Sequence, residues 1–389
     1  MNNFNSYKEI SAEEVKDGLR ICADRILRNV SEFTEKFQST ASEKLFYKPT
    51  ENDAWTCGFW TGEVWLAYEH GKQVCLKEAA MIQCNSFRER IDQRISVDHH
   101  DMGFLYSPSC VAAYKLTGSE TARETALMAA DNLLSRFRTK GDFIQCWGNA
   151  DEPPYYKLIV DCLMNLPLLY WATEQTGNDK YREAAIKHFR TTVKYALRED
   201  GSTAQAVYFD VDTGAFLKAH NIQGYRDDSC WARGQSWVIY GSALSYKYTG
   251  LEECASLFRK TAEYFLNHLP EDLVSYYDLE FTEGNELPRD SSATAITACG
   301  LLEMASLLGP GEGAYYAAAA RKLMKSLYDN YMVRDNKLSN GLLLHGTNSC
   351  NTPYNRMSQD KGKDECCSYG DYFYLEAITR LDKDWKTYW

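Results

Sequence analysis

Residues 101–138 read DMGFLYSPSCVAAYKLTGSETARETALMAADNLLSRFR. The first half, 101–116, is apolar on nearly every side. Thr117-Gly118 interrupts it. Residues 119–138 are amphipathic, with Ala126, Ala130, Leu133 and Phe137 on one stripe at helical spacing. A glycine just past the last periodic residue is a usual helix stop. The segment therefore predicts a helical hairpin, with one helix buried all round and one keeping a wet face.

The same phrase recurs along the chain. Residues 159–174 are apolar, Thr176-Gly177 turns, and 180–197 are amphipathic. Residues 231–248, Thr249-Gly250 and 251–269 repeat it, as do 290–308, Gly309-Pro310-Gly311 and 314–331. Upstream, 55–62 lead into an apolar helix closed by His70-Gly71, and a charged helix runs to about Ile95. Pairing residues 11–37 with the last apolar helix, 370–381, gives six inner and six outer helices. Hairpins that cannot bury their apolar faces alone do so by stacking on neighbours. The expected fold is all-α, an (α/α)6 barrel of six helical hairpins forming one domain over residues 1–389. The exception is 207–218, where Asp212-Thr213-Gly214 separates two short runs and predicts a β-hairpin.

The chain carries a net charge of −11, which argues against partners that need a positive field, nucleic acid and anionic membrane alike. No stretch reads as a membrane span, and the N-terminus shows no signal-peptide pattern. Thirteen cysteines are irregularly spaced with no C-x-x-C pair, so a zinc site is not expected. They read as reduced thiols of a cytoplasmic protein. The 27 Tyr and 9 Trp suit stacking on the apolar faces of sugars, besides filling a core.

In such a barrel the inner helices run in one sense, so their N-termini gather at one mouth. That places Trp60, His100 and Asp101, Asp161, Arg233 to Trp237, Asp290 to Ser292 and Tyr369 to Tyr372 together. Asp161 lies in the apolar run YYKLIVDCLMN, residues 155–165, read as the opening of a core-facing helix that Pro167 kinks or delays. Each acid could be a local helix cap. A pair of them in a cleft also suits acid/base work on a glycoside. Asp161 has the more apolar surroundings and is assigned the proton; Asp101 stays ionised. Arg233 is the candidate for a substrate carboxylate, or else a structural ion pair. His100 is a candidate hydroxyl ligand, and His99 is expected to be structural. The two imidazoles are not expected to face one way, so no two-His metal site is expected.

Several long segments in order resemble the unsaturated glucuronyl hydrolases of glycoside hydrolase family 88. They are WTCGFWTGEVWLAYE, DHHDMGFLYSPS, IQCWGN, IVDCLMNLPLLYWATEQTG, WARGQSW, RDSSATAITACGLLE and YGDYFYLEAITRL. The resemblance implies an (α/α)6 barrel, no metal or cofactor, and action on oligosaccharides ending in a 4,5-unsaturated uronic acid. It implies hydration of the C4=C5 double bond with Asp161 as general acid/base and Asp101 as the second acid. Its binding residues fall on Trp55, His100, Trp147, Gln223, Arg233 and Trp237. Where relatives can carry a His, this chain has Gln205, which cannot titrate. Some relatives hold a sulfate with two Ser and a Lys in the C-terminal loop. Here only Lys361 matches, with Arg356 nearby. The alternatives are an unsaturated rhamnogalacturonyl hydrolase acting on pectin fragments and a non-catalytic sugar-binding protein.

Overall fold

The computed structural model describes residues 7–150, 152–284, 287–356 and 362–389. Among them the inner helices are α2 (Cys57–Gly71), α4 (Met102–Tyr106) continued by α5 (Ala112–Thr117), α7 (Leu166–Thr176), α9 (Ala232–Thr249), α11 (Ser291–Leu308) and α13 (Ser368–Asp382). The outer ones are α1 (Ala12–Phe33), α3 (Val74–Asp92), α6 (Glu120–Ser135), α8 (Lys180–Ala196), α10 (Glu252–Asn267) and α12 (Glu312–Ser326). Each inner helix packs on the next, and α13 returns to α2, so the ring closes. This is the (α/α)6 barrel the hairpin repeat predicts.

The repeat has a common end. Gly118, Gly177 and Gly250 close α5, α7 and α9 in the left-handed conformation, with φ of 72°, 69° and 65°. A side chain there would be strained. The preceding threonine bonds back one turn each time: Thr117 to Ala113, Thr176 to Ala172 and Thr249 to Ser245, at 2.7, 2.7 and 2.6 Å. One local chemistry thus turns three of the hairpins.

The core is aromatic along the barrel axis. Phe104 meets Trp237 at 4.9 Å, and Phe373 stacks on Trp389 at 5.7 Å and 14°. The Trp389 indole donates to Glu376 Oε2 at 2.7 Å. Trp60, placed at the mouth by sequence, is buried and donates to the Phe33 carbonyl, facing an outer helix instead.

Three expectations change. Helix α11 is long and apolar enough to cross a membrane by length and composition, contrary to the sequence reading. In the fold it is an inner helix packed between α9 and α13. The hairpin forms from Ala206–Phe209 and Phe216–His220, but a third antiparallel strand, Lys157–Ile159, pairs beside it. Asp161 therefore follows a strand and sits in a 3-10 turn, Val160–Met164. With Pro167 in its first turn, α7 starts only at Leu166.

Candidate active site

Asp101 and Asp161 arrive at the mouth by different local routes. Asp101 occupies the N-cap position of α4, yet its side chain makes no cap hydrogen bond. Asp161 is presented by the 3-10 turn, where its backbone carbonyl accepts from Asn165 Nδ2 at 3.3 Å. The same Asn165 accepts the Phe104 N–H through Oδ1 at 2.9 Å. Gly103 permits this contact: a Cβ there would lie 2.5 Å from Asn165 Cα. One asparagine thus ties together the segments carrying both acids. Sequence reading passed over it, although it closes the run that contains Asp161.

The two carboxyls are electrostatically opposite. Asp161 Oδ1 is buried without a hydrogen-bond partner. Burial pushes this carboxyl up, the negative Asp101 pushes it further, and the opposing Arg233 leaves it at about 7. For Asp101, burial also acts upward, but the His100 and His99 imidazoles outweigh it and hold the group below its ordinary value. His99 Nδ1 lies 3.2 Å from Asp101 Oδ2, and His100 Nε2 lies 3.3 Å from Oδ1. Burial pushes His100 down to about 4. Both imidazoles therefore face one carboxylate, contrary to expectation. They lie in the bend before α4, where helical geometry does not separate them. The result is a proton-holding acid beside an ionised one, which is the division of roles that acid/base catalysis needs.

Arg233 is buried and has a protein anion of its own. Its Nε lies 3.3 Å from Asp290 Oδ2, and its Nη2 donates to the Thr347 and Asn348 carbonyls at 3.2 and 2.6 Å. Its guanidinium lies 4.5 Å from the Trp231 ring and 4.6 Å from that of Tyr369. The structural ion pair and a free edge coexist, because Nε and Nη2 carry these contacts and Nη1 does not.

Gln205 is fixed rather than free. Its Oε1 accepts from the Ile222 and Gln223 N–H groups at 2.9 and 2.7 Å, and its Nε2 donates to Gln223 Oε1 at 2.7 Å. Gln223 Nε2 in turn donates to the Asn348 carbonyl at 3.1 Å. Arg233, Gln205 and Gln223 thus hold one segment around Asn348 against the mouth. Sequence reading did not single out that asparagine.

Trp55 stacks on Tyr369 at 5.5 Å and 21° and is half-buried. Trp147 is 37% exposed and meets His100 edge-on at 6.3 Å. Trp237 departs from the expectation of a sugar contact. It is fully buried, more than a turn into α9, and its Nε1 has no partner. It forms the floor beneath the mouth. Lys361 lies outside the described residues. Among those residues no group of His, Cys, Asp and Glu is arranged to hold a metal ion.

A cavity of about 990 Å³ lies at the opposite end of the barrel, lined by the C-terminal ends of inner helices and by Trp385 to Trp389. Two of its acids are paired, Glu303 with Arg380 and Lys247, and Glu69 with Lys383. At the mouth, Asp161 is instead raised beside an ionised Asp101, and this pair gives that end its acid/base character.

A family model described as Glycosyl Hydrolase Family 88 matches residues 28–361. The chain is 43% identical over 382 residues to the unsaturated chondroitin disaccharide hydrolase of Streptococcus pneumoniae, covering 98% of this chain and 95% of that one. It is 38% identical to the unsaturated glucuronyl hydrolase of Bacillus sp. strain GL1, over 97% and 98% of the two chains. The crystal structure of unsaturated glucuronyl hydrolase from Streptococcus agalactiae superposes with a TM-score of 0.94 at 42% identity, covering 100% and 96%. Shared fold, shared length and this level of identity lead to one conclusion: the chain is a glycoside hydrolase and belongs to Glycosyl Hydrolase Family 88.

Proposed function

We propose that the enzyme removes a 4,5-unsaturated uronic acid from the non-reducing end of lyase-generated oligosaccharides, with glycosaminoglycan-type disaccharides as its substrates. The observation that carries this reading is the state of Asp161: buried, unpartnered at Oδ1 and pushed up to about 7 beside an ionised Asp101. Such a group still carries a proton in a large share of molecules near neutral pH and can deliver it to carbon.

Asp161 protonates C4 of the enol ether, and positive charge develops at C5. Water adds to C5 and gives its proton to the now ionised Asp161. The resulting hemiketal opens and expels the neighbouring sugar. Asp101 keeps the proton on Asp161 by its charge and, with His100, takes sugar hydroxyls. Arg233 offers Nη1 to the uronate carboxylate, with Gln223 nearby. Trp55 and Trp147 stack on the sugars. The names of the relatives support chondroitin-type disaccharides, and a mutant of the Streptococcus agalactiae enzyme was crystallised with dGlcA-GalNAc6S. All thirteen cysteines are free and twelve are buried, which supports a cytoplasmic setting.

The test is the absorbance of the conjugated enol on a panel of unsaturated disaccharides from chondroitin, hyaluronan, heparin and rhamnogalacturonan. The wild type is expected to bleach the glycosaminoglycan members, and Asp161→Asn to leave them intact. A wild type that bleaches none of the panel defeats the reading. Bleaching confined to the rhamnogalacturonan member replaces it with the pectin alternative.

A further inference from the structure

Lys157 is a buried cation, 6% exposed, with no carboxylate against it among the described residues. Its ammonium donates to Tyr208 Oη at 3.2 Å and sits 4.9 Å from the rings of Trp147 and Tyr208 and 5.9 Å from that of Tyr155. A buried ammonium ordinarily meets a carboxylate.

The sheet register explains what surrounds it. Lys157 pairs with Tyr208, and Tyr208 pairs with Lys218, so the three side chains form one row on one face. Lys218 places its own ammonium 4.9 Å from the Tyr208 ring. His220 stacks on the same ring at 5.2 Å, and its Nε2 is buried without a partner. Its Nδ1 faces Asp227 at 3.3 Å. Three basic side chains thus crowd one tyrosine in a chain of net charge −11. The two lysine ammoniums share the Tyr208 ring and repel each other, and an incoming anion relieves that repulsion.

The row is joined to the mouth. Trp147, over the Lys157 ammonium, meets His100, and His100 lies 3.3 Å from Asp101. Lys157 itself is four residues from Asp161, at most about 13 Å of extended chain.

We infer that Lys157, Lys218 and His220 form a subsite for an anionic substituent on the sugar that follows the unsaturated uronate. Trp147 stacks on that sugar. The two lysines then determine specificity for charged over uncharged disaccharides. The subsite is separate from the 356–361 loop and rests on the hydrolase reading proposed above.

The test uses Lys157→Met and Lys218→Met, alone and combined, since Met keeps the stem against the rings and removes the charge. The measured quantity is kcat/KM for a 6-sulfated unsaturated chondroitin disaccharide divided by that for the unsulfated one. The ratio is expected to fall about tenfold in the double variant. An unchanged ratio overturns the inference, whatever happens to the absolute rates. Calorimetric titration of the sulfated disaccharide into Asp161→Asn, with and without Lys218→Met, supplies a readout without turnover. Weakened binding supports the subsite; equal binding overturns it. Inactivity of the wild type on both sugars would count against the hydrolase reading, and the titration would still judge the subsite. The exposed Lys218 keeps the test open should Lys157→Met fail to fold.

Discussion

The Phe104 backbone N–H, the donor that an N-cap side chain at Asp101 would ordinarily take, donates instead to Asn165 Oδ1 at 2.9 Å. This exchange releases the Asp101 carboxylate from helix capping and leaves it to the two imidazoles. Asn165→Ala should leave a buried N–H unsatisfied, at a cost of about 1–3 kcal/mol in urea unfolding. It should also lower kcat/KM at least tenfold, because the two acids lose their common tether. Unaltered kinetics in a destabilised variant would reduce Asn165 to a purely structural residue.

Asp161→Asn keeps the size of the side chain and removes its acidity. Loss of a general acid/base costs about 10²–10⁴-fold. The fall should appear in kcat, with disaccharide binding retained by calorimetry. A variant retaining more than about a tenth of the activity would move the proton donor elsewhere.

The pH profile follows from the two shifts. The active form has Asp161 protonated and Asp101 ionised. Asp161 is raised to about 7, so kcat/KM should decline as pH rises through that value. Asp101 is lowered, so the acidic decline should begin below the ordinary carboxylate range. In Asp101→Asn the negative neighbour is gone, and the alkaline decline should shift to lower pH. An alkaline limb that stays in place would show that Asp101 does not hold the proton on Asp161.

The barrel was legible in the sequence because its signal is redundant. Several hairpins repeat one pattern, and a Thr-Gly stop closes three of them. Asp161, Asp101 and Arg233 were legible as polar residues placed where inner helices begin. Their surroundings were not. The strand Lys157–Ile159 reads as a helix opening because an apolar run of that length fits either period, and its pairing partner lies some fifty residues away. The shared carboxylate of His99 and His100 depends on a bend that composition does not announce. The Gln205–Gln223–Asn348 chain joins residues over a hundred positions apart, beyond the reach of any local pattern.

Arg233 and Asp290 form a buried pair, with Arg233 Nε 3.3 Å from the carboxylate. Arg233→Ala strands that carboxylate in the core and should destabilise the fold by roughly 3–5 kcal/mol. Arg233→Lys keeps the charge but loses the fork that reaches Asp290, Thr347 and Asn348 at once. Its KM should rise more than its stability falls, if the same guanidinium also takes the substrate carboxylate. Equal KM values for wild type and Arg233→Lys would confine Arg233 to the structural pair.

Glu63, on α2, is buried with both carboxyl oxygens unpartnered. Burial and the nearby Asp371 both push it up. Asp371 accepts from the Leu342 and Leu343 N–H groups and from Tyr47 Oη, and burial still raises it. A carboxyl raised in the fold binds its proton more tightly there than in the unfolded chain. Its stabilisation is therefore full below the unfolded value and drains away as pH rises through the folded one. Asp161 contributes with the same sign. Unfolding free energy should thus decline from mildly acidic toward alkaline pH. Glu63→Gln carries no proton to lose and should flatten part of that decline, exceeding wild-type stability by about 1 kcal/mol or more at alkaline pH. Urea titrations of both proteins across that range decide the matter. Parallel curves would mean that Glu63 ionises in the fold and has a partner there.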